Sequence, residues 1–268
     1  MRRWVERGAL AFACAILFQL PMRPAGAQSA LHATSAAPTV SPSTATGGWH
    51  FAITPYAWLS GLSGRVGVGR VATNVDLSIR DVLSSLKFGA MATAEVRHGP
   101  WVILTDGVYA STGNSSVIAI RGDTGAFTLA QKQVIVQPAA GYTVGNDVVA
   151  IDGLLGARYW YLGMDLGVDR TRRPTTTERS GSRQWVDATG GARIRWTPSP
   201  NVHLTAGADG GAGGSRSTWQ AYGSFGVDPW DMVTIGLGYR VLSVDYDHAD
   251  FLFDTRSAGV VIGALFRL

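Results

Sequence analysis

The sequence predicts an all-β chain, a transmembrane antiparallel up-and-down β-barrel of about ten strands within a range of eight to twelve. Three observations carry that expectation. Segments of ten to fifteen residues alternate apolar and polar side chains from Trp49 to the end, with the charges falling on one face. The first residues read as an export signal. After that signal no apolar stretch reaches the roughly 20 residues a helix needs to cross a bilayer, so any crossing must be made by strands.

At the N-terminus, Arg2, Arg3 and Arg7 precede an apolar run from Ala9 to Leu20, and Ala25-Gly26-Ala27 supplies the small residues of a cleavage site. The expected signal peptide is 1–27, with the mature chain starting at Gln28. Its removal takes Arg2, Arg3, Arg7, Arg23 and Glu6 with it, so most of the formal charge of +4 belongs to targeting. The remainder lacks the basic footprint of a nucleic-acid binder. Cys14, the single cysteine, leaves with the signal, and disulfides are excluded. Residues 28–47 are Ser-, Thr-, Pro- and Ala-rich without a period, which predicts a disordered periplasmic leader ahead of a barrel over 48–268.

The alternation is clearest from Lys87 to Arg97, where Phe88, Ala90, Ala92, Ala94 and Val96 oppose Lys87, Gly89, Met91, Thr93, Glu95 and Arg97. It recurs with Val186, Ala188, Ala192, Ile194 and Trp196 against Asp187, Thr189, Arg193 and Arg195. Val202, Leu204, Ala206 and Ala208 likewise oppose His203, Thr205 and Asp209. The apolar faces are long, rich in Ala, Val and Leu, and bracketed by Trp101, Tyr109, Tyr159, Tyr161, Trp196 and Trp219, as a lipid band with aromatic girdles would be. The polar faces carry glycines and charges of both signs, which suits a narrow lumen.

Strand count follows from short turns on one side of the membrane. Tight connections at 97–100, 144–147, 198–201 and 228–231 give strands near 49–60, 87–98, 101–113, 129–143, 147–162, 184–197, 201–213, 217–227, 231–245 and 255–268. Within 61–86, Arg65–Val71 and Asn74–Ile79 could add a hairpin and bring the number to twelve, and Asp81–Leu86 reads as a helical turn capped by its aspartate.

The chain ends Val261-Ile262-Gly263-Ala264-Leu265-Phe266-Arg267-Leu268. This resembles the C-terminal signal of bacterial outer-membrane proteins. Gly263, Phe266 and Leu268 match it, while Val261 departs from the polar preference and Leu268 is aliphatic instead of aromatic. Tyr56-Ala57-Trp58-Leu59-Ser60-Gly61, Val75-Asp76 leading to Asp81 and Leu86, Met91 with Glu95, and Gly99-Pro100-Trp101 followed by Asp106 and Tyr109 resemble the N-terminal half of a family of uncharacterised bacterial outer-membrane barrels. The resemblance implies a Gram-negative outer-membrane location, passage through the barrel-insertion machinery and contact with outer-membrane lipid. It brings no activity.

The candidate site is a lumen charge network of Glu95, Arg97, Asp152, Arg158, Asp187, Arg193, Arg195, Asp209, Arg240 and Arg267. Four acids against six arginines fit a salt-bridged, largely side-chain-filled lumen with a structural or surface-interaction role; the same residues could line a narrow channel for small solutes. Arg170, Arg172, Arg173, Arg179 and Arg183 crowd one outer loop and suit the phosphates of lipopolysaccharide. Asp245, Asp247, His248, Asp250 and Asp254 form an acidic outer loop that could gather a divalent cation or, as in omptins, serve a surface hydrolase, but no second opposed acidic pair accompanies it. His32, His50, His98 and His203 share no ligand spacing. With no phosphate cradle, metal signature or nucleophile triad, the expectation is a non-enzymatic barrel without cofactor.

Overall fold

The computed structural model describes residues 48–69, 71–120, 123–170, 176–248 and 250–268. The expected signal peptide and leader, together with Arg172 and Arg173, lie outside the described residues. The strands are β1 (Trp49–Val68), β2 (Val71–Leu77), β3 (Leu86–His98), β4 (Trp101–Ile120), β5 (Asp123–Gly145), β6 (Val149–Arg170), β7 (Thr176–Ser199), β8 (Val202–Gly213), β9 (Ser217–Trp230), β10 (Val233–His248) and β11 (Phe251–Arg267), with one short helix, α1 (Ile79–Ser85). Each of β3 to β11 pairs antiparallel with its sequence neighbour, and β11 closes on β1 from Ala52↔Arg267 to Val68↔Phe251. The result is a closed barrel of ten strands, as the turn spacing predicts.

β2 is the exception. Near the short turns β1 pairs with β3, ending at Pro55↔Ala92, and farther along the same edge pairs with β2 from Leu62↔Leu77 to Val68↔Val71. Proline has no N–H to continue the first ladder, and the two strands part beyond it. The hairpin expected within 61–86 does form, between the end of β1 and β2, but since β1 already belongs to the barrel it adds one strand beside the wall and leaves the barrel at ten. α1 packs against β1 and β4 at this seam. Its cap is Ser78, not Asp81: the Ser78 hydroxyl accepts from the Asp81 amide, and the Asp81 carboxylate accepts from the Ser78 amide at 2.9 Å. The Ser78 hydroxyl, which donates to that carboxylate at 2.6 Å, and the Ser78 amide together hold the exposed Asp81 carboxyl below the usual carboxylate range.

The outward face is apolar and exposed. Phe51, Ile53, Ile103, Leu155, Ile194, Ile235, Leu237 and Ile262 all point away from the barrel into the surroundings. A water-soluble surface does not carry so continuous a band, and a lipid-facing one requires it. Trp49, Trp101, Tyr142, Trp196 and Trp230 ring the end with the short turns, and Trp219 lies toward the opposite end. The short turns mark the periplasmic side.

At the other end the strands run well past the expected limits, with β4 reaching Ile120, β6 reaching Arg170 and β7 beginning at Thr176. In these extensions β4 to β7 continue to pair side by side, from Ile120↔Asp123 through Gly125↔Arg170 to Asp169↔Thr176. The same lengthening absorbs the outer loops. Asp245, Asp247 and His248 are in β10, Asp254 is in β11, Arg170 ends β6, and Arg179 and Arg183 are in β7.

Candidate functional site

The lumen is built in layers set by the inward positions of each strand. Nearest the periplasmic rim, His203 Nε2 lies 2.8 Å from Asp228, and Arg267 donates to the same carboxylate at 3.0 Å. The next layer gathers polar side chains from four strands around Asp152. Arg97 donates to it at 3.0 Å, Arg193 at 2.8 Å and the Thr143 hydroxyl at 2.7 Å, while Arg195 approaches at 3.4 Å. Glu95 accepts from Arg193 at 2.8 Å and from Arg97. Asp152 is completely buried, which three guanidiniums make tolerable.

Toward the barrel middle are two further groups. Arg240 donates to the Tyr56 hydroxyl and pairs with Asp106, both at 2.9 Å, and Tyr56 in turn donates to Asp106 at 2.7 Å. The Arg240 guanidinium also lies 4.9 Å over the Trp58 ring. Arg158 is fully buried, donating to Gln137, to the Thr218 hydroxyl at 2.6 Å and to Asp209 at 2.5 Å.

The outer half of the lumen is apolar. Trp160 stacks on Trp185 at 5.5 Å, Trp185 on Tyr246 at 4.1 Å, and Phe251 and Phe253 meet these rings edge-on. Ile135, Leu162, Met164, Val108, Leu242 and Val244 fill the spaces between, and Trp160, Leu162 and Ile135 are at most 1% exposed. The tip of β1 folds over this cluster and touches β7, which is not its neighbour in the sheet. Gly64 allows that course: its φ is 140°, and a Cβ there would come within 2.1 Å of the Asp254 carbonyl oxygen.

The periplasmic half, in contrast, holds a cavity of about 590 Å³ that reaches the rim at His50, His203, Arg267 and Leu268. The expectation of a side-chain-filled lumen therefore applies to the outer half alone. The reason is compositional: inward positions Gly156, Gly191, Gly226, Gly236, Gly238 and Gly263 line this space and contribute no side chain to fill it.

All ten expected network residues lie inside the barrel, and Arg193 pairs with Asp152 directly opposite it, but the other facing pair does not form. Arg158 and Asp187 sit directly opposite on neighbouring strands, yet Arg158 reaches Asp209. Asp187, completely buried, accepts instead from the Ser215 amide at 2.7 Å and the Trp185 indole at 3.2 Å, and no described arginine pairs with it. Two interior acids escaped the sequence reading. Asp106 continues the inward set of Val102, Leu104 and Val108 and could have been found by counting in twos, whereas Asp228 sits beside Pro229 and reads as turn. With them, the six arginines named above face six carboxylates among the described residues.

Of the outer-rim candidates, Asp245 lies opposite Asp254 across the β10–β11 ladder and 3.9 Å from Arg216. Asp247 pairs with Arg216 at 2.9 Å, and His248 lies 5.5 Å from the Tyr246 ring. Arg183 sits 5.8 Å over Phe251. No cluster of His, Cys, Asp or Glu suited to a metal occurs among the described residues.

In comparison with solved structures, the outer membrane protease OmpT from Escherichia coli is 7% identical, with 86% of this chain and 99% of that chain covered and a TM-score of 0.52. The fold is that of a Gram-negative outer-membrane β-barrel. The attachment invasion locus protein Ail of Yersinia pestis is 15% identical over 83% of this chain and 100% of its own, with a TM-score of 0.32. No protein-family model matches the chain, and no curated protein does.

The terminal residues sit where barrel closure can use them. Gly263 faces inward against Tyr56, and a Cβ on it would lie 2.9 Å from that of Tyr56. Phe266 faces outward, and the Leu268 amide donates to the Phe51 carbonyl across the seam at 2.9 Å. Replacing Phe266 and Leu268 together by serine is expected to reduce the membrane-inserted, heat-modifiable form several-fold in fractionated cells, because both the lipid face and the terminal signal are lost.

Proposed function

We propose that this protein is a closed outer-membrane barrel with a structural and surface-interaction role that neither conducts solutes nor catalyses a reaction. The observation that supports it is the stacked aromatic cluster across the outer half of the lumen. A dry, close-packed apolar layer offers a hydrated solute no partners along its path, and the paired charges below it offer no ring of one sign. What the barrel presents outward is the long β4–β5 and β6–β7 hairpins. On this reading Arg170, Arg172, Arg173, Arg179 and Arg183 contact the phosphates of lipopolysaccharide through guanidinium forks. Asp247 and His248 act as rim residues, since Asp247 is already committed to Arg216.

A liposome-swelling assay tests this. Vesicles carrying the refolded protein should swell in a pentose solution no faster than protein-free vesicles. Swelling at the rate of a general porin would overturn the reading in favour of a channel.

A further inference from the structure

We infer that the periplasmic cavity is a binding site for a small organic anion. The inference rests on the closed outer half, since an open channel would pass such an anion instead of holding it.

The first support is an uneven division of charge. The lumen as a whole is balanced, but Asp187 is in the apolar outer half, where it is held by Trp185 and Ser215. Arg158, directly opposite Asp187, does not line the cavity either; the charged lining is Arg97, Arg193, Arg195, Arg240 and Arg267 against Glu95, Asp106 and Asp209. The surplus falls on the layer around Asp152, where two acids serve three arginines. Arg195 is the least engaged of them: its closest carboxylate contact is 3.4 Å, its side chain is 35% exposed, and it lines the cavity. An unneutralised guanidinium at the wall of a narrow, low-dielectric space favours an anion, and its fork suits a carboxylate or phosphate.

The second support is the shape and lining. About 590 Å³ lies within the range of small-molecule sites. Leu104, Ala139, Leu154, Val261 and Leu265 line it beside the charges, so the ligand they fit has an apolar body as well as a charged head. Arg267 also lines the cavity, with its guanidinium held by Asp228 at 3.0 Å.

The refolded barrel in a neutral detergent can be titrated with para-fluorobenzoate and followed by fluorine NMR. The probe should bind and be displaced by benzoate but not by the neutral benzamide. Arg195→Gln should weaken binding about tenfold or more, the loss expected for a charge-assisted hydrogen bond. Gly236→Leu should block binding by filling the cavity; a Cβ there meets no atom closer than 3.7 Å, so the wall accepts it. Both variants should keep the heat-modifiable gel mobility of the folded barrel. The proposal is overturned if the unmodified barrel does not bind the probe, if benzamide competes as well as benzoate, or if either variant binds as the unmodified barrel does. A barrel that conducts yet binds the probe through Arg195 would retain the site and lose the closed-lumen reading, so the two failures are separable.

Discussion

Replacing Trp160 by alanine should destabilise the barrel by about 3 to 5 kcal/mol and admit water to the outer half of the lumen. Trp160 is 1% exposed and stands between Trp185, at 5.5 Å, and Phe253, at 6.5 Å. No neighbouring element can collapse into the gap, because each ring belongs to a strand fixed by two hydrogen-bonded neighbours. The urea midpoint of refolded protein in lipid vesicles gives the stability, and dye efflux from the same vesicles reports the leak. Trp196→Ala on the lipid face is the control. It removes a ring of the same size that is 48% exposed, and it should leave the efflux unchanged.

Asp152→Ala should be comparably costly, again about 3 to 5 kcal/mol, because it leaves Arg97, Arg193 and Arg195 with Glu95 alone. Most of that figure is the penalty of unpaired buried guanidiniums, not the worth of any single bond. Asp187→Ala makes the comparison informative. Asp187 is buried as deeply, but its partners are an indole and a backbone amide, so its loss strands two neutral donors and should cost about 1 to 3 kcal/mol. The temperature at which the compact gel band disappears should therefore fall further for Asp152→Ala than for Asp187→Ala. Equal shifts would mean that the charge layer is not what stiffens the barrel.

The sequence made the barrel legible wherever lipid lies on one side and the lumen on the other. Lys87 to Arg97 and Trp185 to Trp196 are such stretches, and there the period of two assigns every side chain. Tight turns at 97–100, 144–147, 198–201 and 228–231 then yield the ten-strand count. Beyond the membrane this contrast vanishes, which is why Asn114 to Ile120 and Thr176 to Arg183 did not read as strand.

The apolar cluster was hidden for a related reason. In Tyr159-Trp160-Tyr161-Leu162 both faces are apolar, so alternation cannot say that Trp160 and Leu162 turn inward. Nor could sequence pair every lumen charge. Register places Arg158 opposite Asp187, but a long arginine crosses to whichever carboxylate is open to it, and Asp187 is occupied by Ser215 and Trp185. The cavity depends on six inward glycines whose meaning appears only once the strands are closed into a ring.

The closed outer half is the centre of this account, and single-channel recording of the purified barrel in a planar lipid bilayer tests it most directly. The account predicts that insertion produces no steady current at either polarity, with conductance emerging only when the aromatic layer is breached, as in Trp160→Ala. Sustained, uniform conductance steps from the unmodified protein would contradict it.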